Sequence, residues 1–364
     1  MKSDFTLCFR KTVIRLTLGF WLIFKAMSIN LWWSWDRTFP ELPVLDVLLN
    51  MPSQVSDSIS FLSVILMIFA VVKPKQIIIA SILVLELLLM SLDQMRWQPS
   101  IFQFIVTLSI GLLRPRLFKS YFFFLISVTY IFSGLQKLNL GFINFIWGKF
   151  FLIDFLNIAP EIAFHRAVKA VGFILPLTEL ILGLVIWTKF RTWGWSLIII
   201  MHILLLLVLG PLGMNFNSII WPWNVLMIVF AALFLKDRCS NYKLKQFGNA
   251  SFIILGIVIV ILPIFSFFGK HSPLMSFSLY SGGTDFLYAY SPHTKPDFKT
   301  LTYKGKEYTS VFDWSMEELN VPMVPYPPVF KEFKNRFKEE VSSEAQFLIR
   351  SYPYKRDNTL PFDK

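Results

Sequence analysis

The chain has 364 residues, 55% of them hydrophobic and only 16% charged, with a mean hydropathy of +0.58. That is more apolar surface than one soluble core can hide, so the composition excludes an ordinary globular enzyme and points to a lipid bilayer as solvent. The net charge of +12 does not point to nucleic acid. Residues 271–364 carry twelve Lys plus Arg and twelve Asp plus Glu, so the whole excess belongs to the apolar part.

Apolar runs at 12–34, 58–72, 76–92, 99–113, 119–136, 169–187, 194–210, 218–235 and 250–268 predict about nine transmembrane helices. A helix needs roughly 20 residues to span, and the second and fourth runs fall short of that. Basic residues occupy every second loop: Lys2, Arg10, Lys11 and Arg15; Lys73 and Lys75; Arg114, Arg116 and Lys119; Lys189 and Arg191; Lys236, Arg238, Lys243 and Lys245. This positive-inside alternation places the N-terminus in the cytoplasm and, after nine crossings, the C-terminal domain outside. The first outer loop is acidic by contrast, with Asp36, Glu41, Asp46 and Asp57. Cys8 and Cys239 both fall on the predicted cytoplasmic side, so no disulfide is expected in the outer part. The basic first 16 residues lead into a Trp-ended segment without a small-residue cleavage site, and the first helix therefore reads as retained.

Between the fifth and sixth crossings, the aromatic run from Leu140 to Leu152 suits a re-entrant or interfacial segment that could lie over the bundle as a lid. A Gly followed by a Lys recurs as Gly19/Lys25 and Gly134/Lys137, a trace of related halves. At Gly269-Lys270-His271-Ser272-Pro273 apolar sequence gives way to turn chemistry, which divides the chain into a membrane domain, 1–269, and an outer domain, 270–364. In the latter, Met275–Tyr280 and Asp285–Tyr290 alternate around Ser281-Gly282-Gly283-Thr284 and predict a hairpin. A second hairpin is expected at Lys304-Gly305-Lys306. Ser315 and Glu318 have capping-box spacing for a short helix, and Pro328–Ser342 reads as a longer amphipathic one. The predicted fold class is thus an all-α polytopic membrane protein with a small extracytoplasmic α+β domain.

Ionisable side chains inside apolar helices are costly and mark function by default. There are five: Lys25, Glu86, Lys137, Glu179 and His202. A Lys with two Glu in one low-dielectric bundle would pair and shift one another's proton affinities. Lys137, which closes the run Tyr130-Ile131-Phe132-Ser133-Gly134-Leu135-Gln136-Lys137-Leu138-Asn139, is the leading candidate for a catalytic group, with Glu179 and His202. For Glu86 and Lys25 the plainer alternative is an interhelical hydrogen bond or, for Lys25, snorkelling to the interface. His202 equally suits a packing role, having no His or Cys neighbour at metal-ligand spacing, and no metal site is expected. Two outer-edge clusters supply further candidate ligand-binding groups: Asp93, Arg96, Trp97 and Gln98, and Asn215, Asn217, Trp221, Trp223 and Asn224, joined by Asn139 and Trp147. Singly, the tryptophans are what an interfacial aromatic belt requires. Together with Lys137 and the asparagines they would also suit a pocket for a flat amphipathic molecule.

The motif Tyr130-x-x-Ser133-Gly134-x-x-Lys137-Leu138-Asn139, followed by Trp147-Gly148, resembles that of the HTTM membrane family, which includes the vitamin K-dependent gamma-carboxylase. From Gly134 through Leu175-Pro176-Leu177-Thr178-Glu179 to Gly183 and the Lys189/Arg191 loop, the chain also resembles DoxX-like and MauE-like proteins. The resemblance covers roughly 76–235 and implies a quinone or other isoprenoid lipid as cofactor, with a lysine at the position of Lys137 deprotonating it on the non-cytoplasmic side. The chain differs in having Arg96-Trp97-Gln98-Pro99 where the carboxylase family has an Asn-His motif, and in its far smaller outer domain. Two functions follow: a quinone- or isoprenoid-linked enzyme with Lys137 as base or anion-binding group, tuned by Glu179 and Glu86, or a non-catalytic scaffold whose outer domain binds an envelope protein. A transporter ranks third because no inverted repeat is visible.

Overall fold

A computed structural model describes residues 2–48, 51–236, 250–291 and 298–362. Cys239 and the Arg238, Lys243 and Lys245 charges lie outside the described residues, and Cys8 is exposed. Every apolar run named above falls in a helix: α1 (Lys2–Met27), α2 (Ser53–Val72), α3 (Gln76–Leu92), α4 (Pro99–Gly111), α5 (Pro115–Lys137), α6 (Arg166–Val185), α7 (Arg191–Leu209), α8 (Ile220–Lys236) and α9 (Ala250–Ser266). Pro99 and Pro115 open their helices at the first position, where the missing N–H costs nothing. Among the described residues α2, α5, α6 and α7 are long and apolar enough to cross a membrane, while α3, α4, α8 and α9 are apolar but shorter. The first run does not continue to residue 34 as one helix. It breaks at Ser28, whose hydroxyl donates to the Phe24 carbonyl and accepts the Trp32 indole N–H, and a single turn, Ile29–Trp32, follows.

Helix α5 is the hub, with 78% of its apolar window buried against 28%, 22% and 28% for α2, α6 and α7. Its N-terminal half packs Phe122 and Phe123 against Phe230 and Phe234 of α8 and Trp195 of α7. Toward the other end small residues let α6 touch it. A side chain at Gly134 would fall 2.6 Å from the Pro176 carbonyl and Leu180 nitrogen, and one at Gly183 2.8 Å from the Ser127 carbonyl. Backbone contact of this kind is the usual way helices associate where lipid supplies no hydrophobic drive.

The C-terminal domain contains a five-stranded antiparallel sheet of order β2-β3-β1-β4-β5, formed by β1 (Phe286–Tyr290), β2 (Thr300–Tyr303), β3 (Lys306–Ser310), β4 (Gln346–Arg350) and β5 (Thr359–Pro361). Helices α10 (Val311–Glu318) and α11 (Pro327–Glu340) accompany it. The β2–β3 hairpin turns at Lys304 and Gly305, both with positive φ (48° and 77°), as a two-residue turn demands. Helix α11 buries Val329, Phe330, Phe333 and Phe337 on its inner face.

Two local expectations fail. Met275–Tyr280 is not a strand: Phe277 and Tyr280 take left-handed φ (60° and 55°), breaking the alternation, because Phe277 packs on Phe102 of α4 and the Tyr280 hydroxyl meets Asn217. Consequently β1 pairs with β3 and β4 instead. Nor do Ser315 and Glu318 form a capping box. Ser310 caps α10, accepting from the Asp313 N–H at 3.2 Å, while the Ser315 hydroxyl donates inside the helix to Phe312. Glu318 ends the helix and accepts from the Thr38 and Phe39 N–H groups and from Trp314 Nε1.

These last bonds belong to a broad joint between sheet domain and bundle. The Phe39 ring lies 5.0 Å from Trp314 and 5.2 Å from Phe333. Asn320 donates to the Met27 carbonyl, Gln98 to that of Pro322 and Asn139 to that of Ser281, and Ser218 donates to Asn320 Oδ1. The aromatic run after α5 forms a π-helical segment, Phe142–Phe155, whose Asn144 donates to the Tyr352 hydroxyl.

Candidate functional site

Lys137 is the last residue of α5, and the Gly134 contact brings the α6 backbone close enough for Glu179 to reach it. Lys137 Nζ donates to Glu179 Oε1 and Oε2 at 2.7 and 2.6 Å and to Ser133 Oγ, one turn back, at 2.9 Å; Ser133 in turn donates to Glu179 Oε2 at 2.7 Å. The lysine and glutamate side chains are 10% and 12% exposed, sheltered but reachable. A bidentate contact of ammonium with carboxylate is strong, and at this depth each charge needs the other.

One helical turn before Ser133, Tyr130 of α5 joins its hydroxyl to His202 Nε2 of α7 at 2.7 Å, and His202 Nδ1 meets Asn224 Oδ1 of α8, also at 2.7 Å. Asn224 Nδ2 donates to the Ile220 carbonyl, which assigns its other atom as the acceptor. The imidazole therefore carries its proton on Nδ1, and Nε2 accepts from the tyrosine. His202 is 2% exposed and edge-on to Trp223. Tyr130 and Ser133 were part of the motif in the sequence but had no role there. What would have found them is their spacing along one face of α5, with Ser133 three residues after Tyr130 and four before Lys137.

The remaining candidates are placed elsewhere. Glu86 does not join Lys137; it pairs with Lys25 at 2.8 Å, with Ser63 as hydrogen-bond donor, and Lys25 is fully enclosed rather than snorkelling because the bend at Ser28 carries Trp32 over its ammonium at 3.3 Å. Asp93 caps its turn through the Met95 N–H and pairs with Arg37 at 2.8 Å. Arg96 is wholly buried, donating to the Leu31 and Leu89 carbonyls and to Ser56 Oγ, with Glu41 3.9 Å away. Burial raises the proton affinity of Glu41, and the Arg37 charge opposes this. Gln98 and Asn139 tie the bundle to the sheet domain as described.

Asn215 is an exposed turn residue with φ 47°, and Asn217 donates to Tyr280. The tryptophans are not gathered into one wall. Trp97 donates to the Met90 carbonyl, Trp147 to that of Val168, Trp221 to that of Leu209, and Trp223 to Gln103 Oε1. A cavity of about 300 Å³ does exist, but its lining of Ser34, Arg37, Glu41, Ser56, Arg336 and Glu340, among others, lies between the loop before α2, α2 itself and α11. No group of three His, Cys, Asp or Glu gathers as a metal site among the described residues. No protein-family model, no curated protein and no solved structure matches the chain.

Proposed function

We propose that the chain crosses the membrane nine times from a cytoplasmic N-terminus, and that Lys137 and Glu179 form a proton-handling site for a weakly acidic, lipid-soluble ligand of the quinone or isoprenoid class. The topology draws support from the joint: the sheet domain meets the segments that follow α1, α3, α5, α7 and α9. Helices that alternate in direction put those five ends on one side. The observation that carries the site is the bidentate Lys137–Glu179 contact at 2.6–2.7 Å inside an apolar bundle. With Nζ donating to both Glu179 oxygens and facing Ser133, the lysine is placed as a hydrogen-bond donor, so of its two roles anion binding is favoured. Glu179 takes the ligand's proton and Lys137 stays charged beside the resulting oxyanion. Tyr130, His202 and Asn224 hold the neighbouring helices in register.

Mass spectrometry of the protein taken from its own membrane into nanodiscs tests this. A stoichiometric quinone or isoprenoid lipid should be present, lost with Lys137→Ala and retained with Lys137→Arg, which keeps the charge. A protein that carries no such lipid refutes the reading. It would favour the alternative, a scaffold whose outer domain receives an envelope protein, a reading that draws on the many hydrogen bonds fixing that domain to the bundle.

A further inference from the structure

The proposed chemistry at Lys137 leaves a second ionisable centre unused. Lys25 of α1 and Glu86 of α3 lie 2.8 Å apart, with side chains 2% and 0% exposed. Glu86 is not saturated: Oε1 takes Lys25 and the Ser63 hydroxyl, whereas Oε2 has no hydrogen-bond partner among the described residues. Lys25 does not depend on Glu86 alone, since its ammonium also lies 3.3 Å from the Trp32 ring centroid, an attraction that is strongest when desolvated.

Helix α2 connects this pair to the cavity. Ser56, Ser60 and Ser63 follow one another at i, i+4 and i+7 on its buried face. Ser63 reaches Glu86; the Ser60 hydroxyl has no hydrogen-bond partner among the described residues; Ser56 accepts from Arg96 and lines the 300 Å³ cavity beneath the sheet domain. On α1, one turn from Lys25, the buried Trp21 Nε1 likewise has no hydrogen-bond partner among the described residues. Buried hydroxyl, carboxylate and indole groups left open in this way are what ordered water satisfies.

We propose that this row is a hydrated path from the cavity to Glu86, and that Glu86 is a proton-loading site reached from the sheet-domain side. A hydronium in the cavity passes a proton along the waters beside Ser56, Ser60 and Ser63, and an O–H bond forms at Glu86 Oε2. The carboxylate becomes a neutral acid, water is released at the mouth, and the charge of the pair rises from zero to +1. Lys25 remains an ammonium against Trp32. The charged groups facing the path are Lys25 from α1, Arg96 from the turn after α3, and, at the mouth, Arg37, Glu41 and Asp93, Asp57 of α2, which accepts from Ser34, and Arg336 and Glu340 of α11, which pair with each other. Arg37 pairs with Asp93 at 2.8 Å and Arg96 lies 3.9 Å from Glu41, so the mouth holds no net positive charge to repel a hydronium. None of this rests on the Lys137 reading.

Infrared difference spectra of the full-length protein in nanodiscs, recorded as pH is lowered, test the site. A carboxylic-acid carbonyl band should appear, shift in D2O, and be missing from the Lys25→Met/Glu86→Leu double variant, which removes the pair as a whole. Ser60→Val should slow the deuterium shift several-fold while leaving the band. Identical spectra for wild type and double variant, or a band that does not exchange, would overturn the proposal. Radiolytic labelling by bound water needs no variant. Trp21 and Trp32 should be modified several-fold faster than Trp195, which is 2% exposed and stacked on Phe234 at 4.7 Å. Equal rates would exclude the hydrated path.

Discussion

Lys25–Glu86 and Lys137–Glu179 each join the last turn of one helix to the interior of another, 2.8 and 2.6 Å apart, and each carboxylate also takes a serine hydroxyl. Their surroundings part them. The first pair is closed in by Trp32 and Arg96 and has 2% and 0% exposure. The second, 10% and 12% exposed, sits on α6 beside Leu175 and Leu177, which face outward. Of the two, only the second leaves part of its charged groups open at the surface. The contrast teaches that an intramembrane ion pair does not by itself define a binding site; access decides, and access depends on what the neighbouring segments cover.

The largest expected effect separates the pairs by stability. Lys25→Ala leaves Glu86 charged and enclosed and should destabilise the protein by about 3–5 kcal/mol, measured by thermal unfolding in detergent, whereas the Lys25→Met/Glu86→Leu double variant should lose far less. A double variant as unstable as the single would mean that packing, not charge, holds this region. Lys137→Met should cost less, about 1–3 kcal/mol, because water or lipid head groups can reach Glu179. If it costs as much as Lys25→Ala, the difference in access is not real and the comparison fails.

Smaller still, Tyr130→Phe removes one hydrogen bond to His202 and should cost about 1 kcal/mol while leaving any copurified lipid in place. Loss of the lipid instead would extend the second site to the Tyr130–His202–Asn224 row. The smallest effect concerns the joint that covers one end of the bundle. Burial lowers the proton affinity of His271, whose Nδ1 meets Ser276 Oγ at 2.8 Å, below its ordinary value of 6.5. The folded form thus sheds this proton more readily than the unfolded one. Its contribution is present in full above pH 6.5 and declines as pH falls toward the lower folded value. Hydrogen exchange in residues 270–280 should rise over that window, and a His271→Asn variant should show no such rise.

Length, hydropathy and local spacing were enough to place the apolar helices, the break at Ser28 apart, because a run of apolar residues in lipid must satisfy its own backbone bonds. The Lys304-Gly305 turn and the amphipathic α11 were legible for the same reason: their chemistry is local. The partner of each charge was not. Glu86 and Glu179 look alike in sequence, and only the approach of α6 at Gly134 and the bend at Ser28 decided which lysine each would meet. The failed hairpin at 275–280 follows the same rule, since Phe277 and Tyr280 obey contacts on α4 and at Asn217 rather than their own alternation. Sequence determines which groups must be paired when buried; the tertiary structure selects the pairs and whether anything else can reach them, because that depends on side chains far apart in the chain meeting across a helix face.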